Sequence, residues 1–195
     1  MKRHIILSVS LAAVMFSSCI KQIEKKFNGT PVAELDAAVV NSVASGVNYP
    51  ILSRIPPAGR QPATIDSTLR RFNGIVRIRI NLVGPHFTED RTVGYRTFNS
   101  PITTFAFPAT ISGQTPTQTA GTVAVSTAVA GTNYEALSGK ATIPAGSSFG
   151  FININMINNG STAGQARFIG ITLDSTGTIL PSVNYNSLGL VIDQR

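Results

Sequence analysis

Alternation of apolar and polar residues is the clearest pattern in the chain, and it predicts strands. Over residues 75–83 an aliphatic residue stands at every second position from Val76, and Arg77, Arg79 and Asn81 stand between them. A period of two directs successive side chains to opposite faces of a sheet. The pattern therefore predicts a long strand with one aliphatic face in the core and its arginines pointing outward.

Residues 123–156 predict a strand, a tight corner, a short strand, a turn and a further strand. Pro144 fixes φ and lacks a backbone donor, and Gly146 readily adopts positive φ, so the chain is expected to reverse there. After this turn, aliphatic side chains at positions 152, 154 and 156 alternate with Asn153 and Asn155. That alternation predicts a second strand with one buried face.

Similar but shorter patterns recur, separated by Gly, Pro and Asn turn signals. The further predicted strands cover residues 34–40, 47–55, 93–97, 167–173 and 188–192. Residues 99–121 predict at most a short strand, in a segment that packs through Phe105 and Phe107. Because no amphipathic helix of useful length appears, the sequence predicts an all-β, two-sheet Greek-key sandwich rather than a parallel α/β sheet.

The amino-terminal residues predict export and a lipid anchor. Lys2 and Arg3 precede an apolar run over residues 5–16, which is short for a membrane span and typical of a signal peptide. Small residues then lead to Cys19, the only cysteine, at a site that resembles the processing site of bacterial lipoproteins. Phe16 departs from the leucine usual there. A conventional signal peptide cleaved nearby, or a buried cysteine, is the alternative.

These features predict three segments. Residues 1–18 are expected to be a lipoprotein signal peptide, residues 19–31 a flexible polar tether from lipidated Cys19, and residues 32–195 a single β-sandwich domain. A diacylglycerol thioether and an N-acyl chain such as palmitate would anchor the protein stably, because each buried CH₂ contributes about 0.8 kcal/mol. The expected location is the outer membrane, and its periplasmic and cell-surface faces both stay open because the residues after Cys19 are mainly basic.

Composition agrees with an exported β-protein. Charged residues make up 13% of the chain, against about 25% in average proteins. The formal net charge is +7, which permits contact with phosphates or acidic glycans, although arginines on exposed strands also serve solubility. One cysteine excludes an intramolecular disulfide.

Three motifs in the second half of the chain resemble the Calx-beta repeat. They are a Gly-Thr-Asn-Tyr corner at residues 131–134, a short strand ending in a Pro-Ala-Gly turn at 141–146, and an alternating strand at 151–154. Similar modules occur in bacterial outer-membrane lipoproteins. The resemblance covers about residues 75–173 and implies an immunoglobulin-like, Calx-beta-like sandwich.

The resemblance does not extend to the calcium site. Calcium-binding members of the family place acidic clusters at the loop apex, whereas Asn133 occupies the corner here and residues 158–162 contain no carboxylate. Ca²⁺ requires six to eight oxygen ligands, several of them charged. We therefore expect neither a metal nor another cofactor.

The sequence also predicts no catalytic centre. Residues 146–150 match the G-x-S-x-G pattern, but Ser148 lies between two predicted strands and not between a strand and a helix. His86, Glu89 and Asp90 lie close together, yet their spacing fits no recurring metal site. We interpret these residues as a solvated turn and predict that the protein is not an enzyme.

The predicted candidate interaction surface comprises Phe149, Phe151, Phe168, Arg77 and Arg79. Each phenylalanine stands opposite the aliphatic face of its own strand. If the two Phe-bearing strands are neighbours, the rings form an exposed apolar patch or are covered by the chain's own residues 32–60, and both alternatives stay open. The arginines suit lipopolysaccharide phosphates or an acidic partner.

The resulting functional prediction is a non-catalytic envelope lipoprotein that acts as a structural or protein-interaction module. The alternative is a glycan- or ligand-binding accessory lipoprotein of an outer-membrane uptake system, although sugar platforms favour tryptophan and the chain has none. Nucleic acid is not an expected partner, because exposed aromatic residues do not alternate with basic ones.

Overall fold

The computed structural model describes residues 27–36, 46–54, 69–107, 120–161 and 164–195. Within these ranges there are strands and no helix; accordingly, none of the described segments provides a long apolar helix able to cross a membrane. The predicted signal peptide, Cys19 and most of the predicted tether lie outside the described residues. Residues 27–31, which end the predicted tether, belong to no strand.

The described strands are β1 (Val32–Leu35), β2 (Ile51–Leu52), β3 (Gly74–Val83), β4 (Arg91–Phe98), β5 (Thr104–Phe107), β6 (Gly121–Thr127), β7 (Lys140–Ile143), β8 (Phe149–Met156), β9 (Gln165–Asp174), β10 (Leu180–Pro181) and β11 (Ser187–Asp193). They form two sheets. The four-stranded sheet has the order β10-β1-β3-β8, and the larger sheet has the order β2-β11-β9-β4-β7. The predicted all-β, two-sheet architecture is confirmed.

The larger sheet has two further strands at one side of β9. The second half of β9 pairs with β4, whereas β6 pairs in parallel with its first half, and β5 then pairs with β6. Both β1–β10 and β2–β11 are also parallel, while the long pairs β3–β8 and β9–β11 are antiparallel.

The main core lies between the sheets and is built from the predicted alternation. In β3 the side chains from Val76 to Leu82 alternate between buried and exposed, with Arg77 and Arg79 outward. Each fully buried aliphatic side chain contributes about 1.5–3 kcal/mol before entropy is subtracted. The other predicted inward residues are buried as well: Ile152, Ile154 and Met156 in β8, and Ile169, Ile171 and Leu173 in β9.

The amino-terminal strands differ from their predicted bounds. β1 begins at Val32 and its described part ends at Leu35, while residues 37–40 of the predicted strand lie outside the described residues. Where the sequence predicts a strand over residues 47–55, the described residues form a strand at Ile51–Leu52 alone. Pro50 precedes that strand and has no N–H to donate to a ladder, but its carbonyl accepts the N–H of Gly189 at 2.9 Å.

A second apolar cluster lies on the outer face of the larger sheet. It contains Ile51, Phe107, Val123, Ala166, Phe168 and Val191, all buried. Two strand glycines make room for it: a Cβ at Gly189 would overlap the Phe168 ring, and one at Gly170 would overlap the Phe98 ring. β5, β6 and residues 47–51 thus cover this face with the chain's own side chains.

This cluster corrects the predicted five-residue interaction surface. Phe168 is fully buried and belongs to the larger sheet, whereas Phe149 and Phe151 belong to the four-stranded sheet. β8 pairs with β3 and not with β9, so the three rings do not form one patch. Phe168 is covered by the chain itself, partly by residues 47–51 as one predicted alternative had it and partly by β5 and β6.

Candidate functional site

The four remaining predicted residues come together on the outer face of the four-stranded sheet. β3 presents Arg77 and Arg79, and its antiparallel partner β8 presents Phe149 and Phe151. The guanidinium carbon of Arg77 lies 3.9 Å from the centre of the Phe151 ring, and that of Arg79 lies 4.2 Å from the centre of the Phe149 ring. The two rings meet edge to face at 5.6 Å. We call these four residues the Arg–Phe surface.

Stacking leaves the charge of the Arg–Phe surface available. A cation–π contact at an exposed site contributes about 0.5–1 kcal/mol and orders the guanidinium without neutralising it. Asp36 lies 3.8 Å from the Nε of Arg79, whose side chain is 45% exposed, so that ion pair is weak. Among the described residues no carboxylate forms an ion pair with Arg77. The surface therefore combines two ordered cations with apolar rings.

A groove adjoins the Arg–Phe surface, between β8 at the edge of one sheet and β7 at the edge of the other. It has a volume of about 620 Å³, and its lining includes Arg77, Leu137, Lys140, Phe149 and Phe151. None of its lining residues is an aspartate or glutamate. The groove is consequently basic, with apolar side chains between its two cations.

The two edge strands approach closely at the floor of this groove. A Cβ at Gly150 of β8 would overlap the carbonyl of Thr142 in β7. Glycine inside a strand often marks such a close backbone approach. The Pro144–Ser147 turn that joins β7 to β8 is itself fixed from outside, because the N–H of Gly146 donates to the carbonyl of Phe87 at 2.8 Å.

In β7 and in β8, a serine hydroxyl forms hydrogen bonds with both backbone groups of the first strand residue. The Ser138 hydroxyl donates to the carbonyl of Lys140 at 2.9 Å and accepts the Lys140 N–H at 3.3 Å. The Ser147 hydroxyl does the same for Phe149, at 2.8 and 3.2 Å. Local side-chain bonds of this type compete with strand pairing. These two caps leave the first residue of β7 and of β8 without free backbone groups.

A separate polar cleft lies between residues 48–50 and the loop before β11. Its lining includes Asn48, Tyr49, Asn184, Tyr185 and Asn186, and its volume is about 590 Å³. The Tyr49 hydroxyl is buried without a hydrogen-bond partner among the described residues, and burial raises the pKa of Tyr49. Tyr185 is 55% exposed and has a φ of 47°. The sequence alone does not predict this cleft, because its two halves are far apart in the chain, and the Asn-Tyr-Asn run at residues 184–186 is its one local signal.

Ser148, considered for catalysis, and Asp90, considered for metal binding, have structural contacts. The carbonyl of Ser148 accepts the N–H of Leu82 at 2.8 Å and so continues the β3–β8 ladder. Its G-x-S-x-G match lies at the start of a strand, with no helix after it, which is not the context of a nucleophile elbow. Asp90 accepts the N–H of Ala145 at 2.8 Å and thereby ties the turn after β3 to the turn before β8.

The residues considered for metal binding do not converge. In the part of the chain that the structure describes, no three His, Cys, Asp or Glu side chains come together as a group that could hold a metal. Asn133, at the Calx-beta-like corner, is buried, and its side-chain oxygen accepts the N–H of Val129 at 2.9 Å. This bond closes the corner.

The comparisons with known proteins concern the fold. No family model and no curated protein matches the chain. Among solved structures, the chain is similar to the apo-form Calx CBD1 domain, with a TM-score of 0.41 and 16% identity over 64% of this chain and 85% of that one. It is also similar to CBD12 from CALX1.2, with a TM-score of 0.41 and 17% identity over 63% of this chain and 39% of that one.

A third similar structure is the calcium-binding domain CBD12 of CALX1.1, with a TM-score of 0.41 and 15% identity over 64% of this chain and 39% of that one. The likeness is one of fold, and the two-sheet assignment itself comes from the strand order and register described above.

Proposed function

We propose that this chain is a non-catalytic interaction module of the bacterial cell envelope, held at the outer membrane by lipid on Cys19. One observation supports the interaction role above the others. The chain covers the outer face of its larger sheet with its own side chains, whereas on the Arg–Phe surface the described residues leave Arg77 and Arg79 exposed above two half-buried rings. Arginine and aromatic residues, phenylalanine among them, are enriched at protein interfaces, and arginine is a frequent hot spot of binding energy.

The lipid anchor is supported by the basic start, the short apolar run and the single cysteine after small residues. Metabolic labelling with an alkyne-bearing fatty acid tests it directly. The wild-type protein should incorporate the probe and fractionate with outer membranes, whereas Cys19→Ala should incorporate none. Equal labelling of both proteins would refute lipidation at Cys19.

Photo-crosslinking in cells tests the interaction role of the Arg–Phe surface. A photoreactive phenylalanine analogue at Phe151 should give a discrete crosslinked product, and the same analogue at Leu180 should not. Leu180 is the matched control because it is 52% exposed but lies in β10, at the opposite edge of the four-stranded sheet. Adding Arg77→Glu and Arg79→Glu should remove the product. Absence of any product specific to Phe151 would refute the proposal.

The alternative function, glycan or ligand binding in an accessory lipoprotein, has its own support in the polar cleft. Asparagine amides and tyrosine rings at Asn48, Tyr49, Tyr185 and Asn186 match the donors, acceptors and apolar faces of a sugar. Under this alternative, soluble glycans raise the melting temperature of the wild-type protein, and Tyr185→Ala abolishes that shift. A glycan shift that survives Tyr185→Ala would argue against this cleft.

A further inference from the structure

Hydrogen bonds fix which backbone groups of β8 face outward. The N–H of Leu82 in β3 donates to the carbonyl of Ser148, and opposite residues in an antiparallel ladder alternate between bonded and non-bonded pairs. The even-numbered residues of β8 therefore bond to β3. On the opposite side, the N–H of Glu135 donates to the carbonyl of Asn155 at 2.9 Å. The odd-numbered residues consequently direct their N–H and carbonyl groups away from β3.

The two ends of this outer edge are occupied and its middle is open. The Ser147 hydroxyl takes both backbone groups of Phe149, and the segment through Glu135 covers Asn155. Between them, Phe151 and Asn153 present their N–H and carbonyl groups, and no described strand pairs with them. A row of unpaired backbone groups on a strand edge is a template for one more strand.

The side chains beside the open edge indicate which residues an added strand should carry. The charged residues that line the groove, Arg77 and Lys140, are both cations. Leu137 and Phe151 supply apolar surface between and beside them. Because an extended peptide directs alternate side chains to opposite faces, a segment that alternates acidic with apolar residues satisfies both features.

We propose that the outer edge of β8, at Phe151 and Asn153, binds an extended acidic segment of a partner protein as an additional strand. This inference rests on the proposed function as an interaction module and names the class of partner. A second copy of this chain does not fit this edge well. Pairing of two β8 edges would place the Arg77 and Lys140 side chains of both copies close together at the interface. Like charges placed so closely oppose association.

The test uses the purified full chain and a defined peptide probe. A fluorescent ten-residue peptide of alternating valine and glutamate should bind saturably, as measured by fluorescence anisotropy. The same peptide with lysine in place of glutamate should bind at least tenfold more weakly. A valine–glutamate peptide carrying N-methyl groups on the residues of both edges should also lose at least tenfold, because it keeps the charge but has no N–H left on either edge to pair as a strand.

Variants of one residue separate the backbone contribution from the side chain. Asn153→Pro removes an outward N–H without removing a bond to β3, since proline is tolerated on an edge whose N–H faces outward. It should weaken binding at least tenfold, whereas Asn153→Thr, which keeps that N–H, should stay within twofold of wild type. Lys140→Glu should weaken binding of the acidic peptide and strengthen binding of the lysine peptide. Should Asn153→Pro fail to fold, the N-methylated peptide on the wild-type chain decides the question.

The outcomes distinguish this inference from the function it rests on. Equal binding of methylated and unmethylated peptides, or no saturable binding of the acidic peptide, would overturn strand addition. Phe151 crosslinks that persist in Asn153→Pro cells would then leave the interaction role in place. Concentration-dependent dimers that Asn153→Pro abolishes would assign the edge to a second copy instead, and would overturn the acidic partner.

Discussion

The outer faces of the two sheets carry aromatic side chains of the same kind in opposite environments. On the larger sheet, Phe168 is fully buried within the second apolar cluster. On the four-stranded sheet, Phe151 is half-buried and lies under the guanidinium of Arg77. Both residues stand opposite the aliphatic face of their own strand. Whether an outward ring is buried therefore depends on which other segments of the chain return over that sheet.

Neighbouring residues explain the difference in physical terms. The larger sheet has glycines at positions 170 and 189, and the rings of Phe98 and Phe168 lie where their Cβ atoms would be. A ring can thus pack closely against the backbone of that sheet, where β5 and β6 then cover it. The outward positions of β3 instead carry long arginines, which reach across the rings of β8 while their charged ends stay in water.

Truncation of the two phenylalanines should give the largest contrast. Phe168→Ala removes a fully buried ring and should lower the free energy of unfolding by about 3–5 kcal/mol. Phe151→Ala removes a half-buried ring under one arginine and should cost about 1 kcal/mol or less. Urea unfolding of both variants measures the difference. Equal losses would show that the two faces are covered to the same extent.

A methyl group at Gly189 should have the next largest effect. Because the added Cβ overlaps the Phe168 ring, Gly189→Ala should lower the free energy of unfolding by about 1–3 kcal/mol. Phe168→Leu in the same chain makes room for it, so the double variant should lose less than the sum of the two single losses. Strictly additive losses would mean that the ring does not rest on this glycine.

The arginine–ring contacts should contribute less. A double-mutant cycle of Arg77→Gln and Phe151→Leu should give a coupling free energy of about 0.5–1 kcal/mol in thermal or urea unfolding. The cycle of Arg79→Gln with Phe149→Leu is its internal repeat, since the geometry is nearly the same. A coupling of zero in both cycles would mean that these arginines are not ordered by the rings.

The smallest effect is expected where β9 ends at the surface. The hydroxyl and N–H of Thr176 donate to the carboxylate of Asp174 at 2.5 and 2.9 Å. The side-chain bond and then the backbone bond hold the pKa of Asp174 below its ordinary value. Their stabilisation is thus present above the ordinary aspartate pKa and is lost as pH falls through the lowered one.

Asp174→Asn should accordingly cost less than about 1 kcal/mol at pH 7, given the exposure of this turn. The difference from wild type should shrink as pH falls below about 4, because the carboxyl group of the unfolded protein takes up its proton there while that of the folded protein stays ionised down to its lowered pKa. Melting temperatures of the two proteins measured from pH 7 to pH 2.5 check this. A difference that stays constant over that range would contradict the hydrogen-bond account.

Period-two patterning was sufficient to predict the strands that build the main core. β3, β8 and β9 are long and regular, so their inward residues could be read from the sequence. The four members of the Arg–Phe surface could be named for the same reason. Which strands would be neighbours could not be read in this way, because pairing joins residues far apart in the chain, such as Arg79 and Phe151.

Because the neighbours of each strand could not be read from the sequence, Phe168 was wrongly grouped with Phe149 and Phe151 in one surface. Consecutive strands are neighbours in about two-thirds of cases, but here the chain crosses from one sheet to the other between β8 and β9. Gly170 and Gly189 were the available signal, since glycine within a strand often marks a close approach. The polar cleft and the open edge of β8 also depend on long-range contacts, which local patterns do not specify.

The serine caps of β7 and β8 also bear on self-association of the protein at high concentration. Exposed full-length edge strands can pair with the same strands of other copies, and repeated pairing of this kind builds fibres. Ser138 and Ser147 occupy the first residue of β7 and of β8, and the segment through Glu135 covers Asn155, so the open part of the β8 edge is limited to Phe151 and Asn153. An edge that is open at two residues offers less backbone for such stacking than the full eight-residue strand would.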